Sequence, residues 1–204
     1  MVRRAGLVRR QRSLEEPARK PLKLVVTGPF AAGKTTLIET ISEVAVVGTE
    51  RDVSNGDRST KSQTTVAMDF GRISLDGGLA LFLFGTPGQR RFEMMWEILS
   101  EGMLGFILLV RAGDVLGVRE AKELLGTFLR YADVPYVVGV THLDTVSAPA
   151  QQVLESTRSS LGLSSDVPVV ACDTRSREDV KNVMLQVLFG VLERLPAKPA
   201  KGQS

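Results

Sequence analysis

Eight residues, Gly28-Pro29-Phe30-Ala31-Ala32-Gly33-Lys34-Thr35, fit the spacing G-x-x-x-x-G-K-[ST]. Successive backbone N–H groups in such a loop can wrap a polyphosphate, helped by the positive end of the helix that follows. Lys34 would then reach the β- and γ-phosphates, the Thr35 hydroxyl would ligate Mg²⁺, and Thr36 would lie against the same phosphates. The pattern carries a mechanism only between a strand and a helix. Leu22 to Thr27 reads as a buried parallel strand, and Thr35 to Val44 reads as a helix. The ligand implied is a nucleotide.

The rest of the chain must hold that loop. A polar stretch from Gly48 to Gln63 has no periodicity and reads as a loop. Thr65 to Ile73 and Leu79 to Phe84 read as two strands around Asp76-Gly77-Gly78, a hairpin signal. Gly85-Thr86-Pro87-Gly88-Gln89 ends the second strand, and Arg91 to Glu101 reads as a helix. Three strand-then-helix units follow: Gly105–Arg111 with Val118–Arg130, Tyr136–Thr141 with Gln151–Gly162, and Val167–Ala171 with Arg177–Leu195. Such alternation predicts right-handed crossovers and a three-layer α/β sandwich. Its six-stranded sheet would be mostly parallel, with one antiparallel strand at an edge. Ligands in such sheets sit at the carboxyl ends of the strands, where the loops 28–35, 85–90, 111–117, 141–146 and 171–176 gather.

A chain of 204 residues with 43% hydrophobic content suits one well-packed domain rather than two. The longest apolar strand run, Gly105 to Val110, is far short of the ~20 residues of a membrane span. No secretory core stands at the N-terminus, and neither end carries a lipidation signal. Cys172 is the sole cysteine, which excludes an intrachain disulfide and points to a reducing cytoplasm. Residues 1–20 hold seven Lys/Arg against Glu15 and Glu16, a net of +5, while the whole chain is +3, so the remainder sums to −2. The body therefore offers no basic face for nucleic acid. The tail reads as disordered and solvated. With Val2, Leu7, Val8 and Leu14 among its arginines, it could also make weak contact with an anionic membrane and recruit the protein to its inner face. Residues 21–195 form the expected domain, and 196–204 read as a second loose tail.

Gly28 to Thr35, Thr65, Gly85-Thr86-Pro87-Gly88-Gln89, Thr141-His142-Leu143-Asp144 and Asp173-Thr174-Arg175 stand in the order and spacing of the guanine-nucleotide motifs of Ras-like small GTPases. The chain most resembles the actinobacterial conservon GTPases, through Thr-Val-Ala-Met-Asp-Phe-Gly and Phe-Gly-Thr-Pro-Gly-Gln, and more distantly the gliding-polarity GTPase of myxobacteria. The resemblance implies a P-loop NTPase fold, Mg²⁺ as cofactor, and GTP or GDP as ligand. It makes Thr65 the switch I threonine that senses Mg²⁺ and the γ-phosphate, with Thr64 as the fallback register. Gly88 would contact the γ-phosphate, Gln89 would orient the attacking water, and Lys34 would assist catalysis. Asp144 would be a buried carboxylate accepting two hydrogen bonds from guanine, which adenine cannot offer. Thr174 would present a backbone N–H to the guanine oxygen, flanked by Asp173 and Arg175. The family also implies a roadblock-type regulator and a sensor-kinase-like protein as partners.

Four positions depart from the family's pattern. Gly85 stands where an aspartate usually supports Mg²⁺. A hairpin turning at Asp76-Gly77 would bring Asp69 opposite Phe84, within a residue or two, so that its carboxylate could serve instead; the alternative is an exposed edge-strand carboxylate. Phe30 replaces a loop glycine beside the γ-phosphate and predicts slow intrinsic hydrolysis. Thr141-His142 replaces Asn-Lys, which removes an expected loop-fixing hydrogen bond and leaves the His142 ring to stack on the purine. No arginine stands out as an internal finger; Arg51, Arg58, Arg90 and Arg91 are equivalent candidates. Met94, Met95 and Trp96 read equally as partner surface or core. Three functions remain open at this level: a GTP-hydrolysing switch, a guanine-nucleotide module with little hydrolysis, and a P-loop kinase acting on a small substrate.

Overall fold

The computed structural model describes residues 22–46, 68–87 and 93–195. Six strands form one sheet: β1 (Leu22–Thr27), β2 (Asp69–Leu75), β3 (Leu79–Gly85), β4 (Gly105–Arg111), β5 (Tyr136–Thr141) and β6 (Val169–Ala171). Their order is β2-β3-β1-β4-β5-β6, with every neighbouring pair parallel except β2 and β3. Among the described residues five α-helices cover it: α1 (Lys34–Ile41), α2 (Glu93–Ser100), α3 (Val115–Tyr131), α4 (Ala150–Leu161) and α5 (Arg177–Glu193). This is the three-layer α/β sandwich expected from the alternation of elements, a P-loop NTPase fold.

The strands β1, β3, β4, β5 and β6 each contribute to two cores because successive side chains leave opposite faces of the sheet, while β2 adds Ile73 and Leu75 to one of them. Leu24, Val26, Ile107, Leu109 and Val137 pack against Leu37, Ile38 and Ile41 of α1 and Val180, Val183 and Val187 of α5. On the other face, Val25, Phe106, Leu108 and Val138 meet Trp96 of α2, Ala121, Leu124 and Phe128 of α3, and Leu161 of α4. Trp96 is thus core rather than docking surface, its ring 6.3 Å from that of Phe128.

Several boundaries differ from the sequence reading for local reasons. Helix α1 stops at Ile41 because Ser42 turns extended, its Oγ donating to Val44 O and accepting from Arg72 N. Helix α3 starts at Val115, earlier than its apolar period suggests, because the Asp114 carboxylate caps it by accepting from Gly117 N at 2.9 Å. The ladder of β6 starts at Val169, since Pro168 has no N–H to give. The hairpin turn takes three residues, Asp76 to Gly78, with Gly77 at φ 75°. Leu75 therefore pairs Leu79, and Asp69 lies opposite Gly85 rather than Phe84. The tails 1–20 and 196–204, the loop 48–63, Thr64, Thr65, Gly88, Gln89 and the candidate arginines 51, 58, 90 and 91 lie outside the described residues.

Candidate nucleotide-binding site

The loop after β1 turns tightly where it passes the central strand. Gly28 has φ 147°, and a Cβ there would collide with the backbone carbonyl of Leu109, so only glycine fits. Ala31 at φ 58° and Gly33 at φ 97° bring the chain round to α1. No side chain caps α1, which leaves its first amide N–H groups free to meet an anion. Lys34, the first residue of α1, folds back over the loop; its Nζ donates to Gly28 O at 2.9 Å and Pro29 O at 2.7 Å. Burial pushes the Lys34 ammonium down to about 8, although nearby Asp69 favours its charged form. Phe30 projects from the loop, 76% exposed.

Beside the loop, the Thr35 hydroxyl donates to Asp69 Oδ2 at 2.7 Å. The carboxylate reaches it across the space that Gly85 leaves open. A Cβ at position 85 would lie 2.9 Å from Asp69 Cβ and 3.0 Å from Asp69 Oδ2. A hydroxyl and a carboxylate placed together are hard oxygen donors, the kind Mg²⁺ takes. No cluster of three His, Cys, Asp or Glu side chains forms a metal cage among the described residues, so a bound ion would complete its shell with phosphate oxygens and water.

The far side of the loop is tied to β5. Thr141 Oγ1 donates to Ala32 O at 3.1 Å, also lying 3.4 Å from Val110 O. The loop-fixing contact expected to vanish with asparagine is thus made by threonine, a correction to the sequence reading. His142 takes the left-handed conformation (φ 55°), with Nδ1 2.9 Å from Thr141 Oγ1. One turn of 3-10 helix, Leu143 to Thr145, then presents Asp144. Thr174 is buried where a Cβ on Gly33 would lie 3.0 Å from its side chain, and its carbonyl accepts from Thr40 Oγ1 at 2.7 Å. Asp144 itself is exposed and paired, not buried: Arg175 Nη2 donates to its Oδ2 at 3.2 Å. Arg175 also grips Asp173, and its hydrogen bonds hold the Asp173 carboxyl below the ordinary value.

Sequence reasoning missed the supports under these groups. Thr86 Oγ1 donates to Thr27 Oγ1 at 2.9 Å and Thr86 N to Val26 O at 2.9 Å, fixing where the chain leaves β3. Trp96 Nε1 donates to Pro87 O at 3.3 Å, pinning α2 to the same exit. A threonine closing each of two adjacent parallel strands was the only available signal.

A glycine-rich loop between β1 and α1, with its lysine and threonine in place at the carboxyl edge of a mostly parallel sheet, defines a P-loop nucleotide-binding protein. The family model of conserved hypothetical ATP-binding proteins matches residues 47–191, and the chain belongs to that family. Over 132 residues it is 29% identical to the uncharacterized protein MJ1339 of Methanocaldococcus jannaschii, covering 65% of this chain and 77% of that one. Over 203 residues it is 25% identical to translation initiation factor IF-2 of Syntrophobacter fumaroxidans, covering 95% of this chain but 20% of the factor. No described helix is long and apolar enough to cross a membrane.

Proposed function

We propose that the chain is a guanine-nucleotide switch that hydrolyses GTP slowly to GDP. One observation carries the reading: the Thr141–Ala32 bond fastens the phosphate loop to the loop that presents Asp144, so the phosphate cradle and the Arg175-paired Asp144 carboxylate stand on loops tied to each other. A carboxylate there matches the paired N1–H and N2–H₂ donors of guanine, whereas adenine would leave it without them. The family description names ATP, and Asp144 is the feature that argues for the other purine. The Ras-like motif order and the initiation-factor similarity support the same choice.

Lys34 would exchange its loop carbonyls for the β- and γ-phosphate oxygens. Thr35 and Asp69 would hold Mg²⁺, which supplies charge neutralisation when bound. Gln89 would orient a water whose oxygen attacks the γ-phosphorus as the bond to the β–γ bridging oxygen breaks, the water proton passing to the released phosphate. Thr65 and Gly88 would read the γ-phosphate, and segments 45–65 and 85–97 would change with it. Phe30 crowds the γ-phosphate side and argues for a slow intrinsic rate. Partners of the roadblock and sensor-kinase-like kinds, and recruitment of a cytoplasmic protein to the membrane by residues 1–20, belong to this same reading.

Calorimetry with GTP, GDP, ATP and ADP in Mg²⁺, followed by phosphate release from each triphosphate with and without a roadblock protein, tests it. Guanine nucleotides should bind and GTP alone should turn over, slowly. Preference for adenine nucleotides would overturn it, and binding without any release would leave a non-hydrolysing module.

A further inference from the structure

Asp144 does not stand alone on its loop. Arg175 donates from Nε to Asp173 Oδ1 at 2.8 Å and from Nη2 to Asp173 Oδ2 at 3.0 Å, while its backbone N–H donates to Asp173 Oδ1 at 3.0 Å. The same Nη2 reaches Asp144 Oδ2 at 3.2 Å. Asp173 is held in turn, its N–H donating to Asp179 Oδ2 at 2.9 Å. Asp179 sits in the first turn of α5 and exchanges hydrogen bonds with the capping residue Ser176. The guanidinium is therefore aimed by a helix cap, although its side chain is 67% exposed. The fork onto Asp173 fixes the plane and position of the guanidinium, and from that fixed point one hydrogen bond holds Asp144 Oδ2.

Recognition of guanine asks for a carboxylate held in place. Two parallel donors on the base edge meet two carboxylate oxygens only when the carboxylate lies along that edge. A base with one donor on that edge accepts a rotated carboxylate. Arg175 is the partner of the Asp144 carboxylate among the described residues, and it stands between two like charges that would otherwise repel. We propose that Arg175 is a positioning residue, anchored by Asp173, that sets the Asp144 carboxylate for two-point recognition of guanine. The inference rests on Asp144 reading the base.

The probes are GDP and inosine diphosphate, which keeps N1–H but lacks the exocyclic amine, titrated calorimetrically into the full chain with Mg²⁺. Arg175→Ala should weaken GDP about tenfold and inosine diphosphate by no more than about twofold, so their ratio collapses. Asp173→Asn should shift the ratio the same way, and the double variant should be no worse than Arg175→Ala, because both remove one clamp. Arg175→Lys should recover GDP binding only in part, since an ammonium cannot fork onto Asp173. An unchanged ratio in Arg175→Ala, or tighter GDP binding, overturns the proposal. Asp144→Ala separates the two levels. If it collapses the ratio while Arg175→Ala does not, only the positioning role falls; if it leaves the ratio alone, the base reading falls as well.

Discussion

In the proposed reading Lys34 serves the loop and a nucleotide by turns. Its ammonium donates to two loop carbonyls, and burial draws its value down from 10.5 to about 8. The folded, nucleotide-free protein thus releases this proton near pH 8, while the unfolded chain keeps it to about 10.5. Between those values the unfolded state binds more protons, so stability rises with pH by at most about 1.4 kcal/mol per unit. Denaturant titrations at pH 8 and pH 10 should show that increment, and Lys34→Met should abolish it. Nucleotide binding has the opposite sign. The phosphates need the ammonium, so affinity should fall as pH climbs above 8, with proton uptake measurable as a buffer-dependent heat. A flat affinity from pH 7 to 10 would mean the lysine stays charged throughout.

The β2–β3 hairpin sets a carboxylate beside Thr35, and in the proposed reading that carboxylate takes the part of the aspartate that Gly85 replaces. Antiparallel pairing of Asp69 with Gly85 brings a carboxylate from the edge strand into the space beside Thr35. Gly85→Ala would press a methyl group against Asp69 and the Ile38 side chain, forcing the carboxylate away from Thr35. That change, like Asp69→Asn, should lower GDP affinity about tenfold in Mg²⁺ and leave affinity in EDTA nearly unchanged. Equal losses in both conditions would assign Asp69 to the hairpin's structure instead. The hairpin also marks where the sequence was legible and where it failed. Asp76-Gly77-Gly78 announces a turn, but not whether two or three residues occupy it, and that decides the register by one position. The phosphate loop was readable because its chemistry lies within eight consecutive residues. The Arg175–Asp144 pair was not, because 31 residues and two elements separate groups that only the finished sheet brings together. Likewise Val115 and Leu116 obscured the start of α3: both are exposed, so apolar periodicity points away from the true cap at Asp114.

At the scale of the whole molecule, the two cores share one sheet, and Cys172 lies wholly buried on the α5 side of it. Burial and the neighbouring Asp179 and Asp173 charges push its thiol up to about 12, so the native protein presents almost no thiolate at neutral pH. Its N–H donates to Val140 O at 2.9 Å, one residue before Asp173. A thiol reagent can therefore reach the only cysteine of the chain by two routes, local opening of the β5–β6 end or unfolding of the entire sheet. The routes respond differently to ligand. If access needs global unfolding, a nucleotide that binds only the native state slows modification nearly in proportion to the ratio of free ligand to dissociation constant, about hundredfold when that ratio is about 100. Local opening that leaves the phosphate loop intact would show almost no slowing. The first outcome is expected, because Cys172 packs in the same cluster as Ala32 of the loop and Val180 and Val183 of α5, so exposing it dismantles the site. Modification rates measured with and without Mg²⁺ and GDP, at a reagent concentration where opening is not rate-limiting, would distinguish the two. A slowing near hundredfold would establish that the binding site and the core beneath it unfold as one unit.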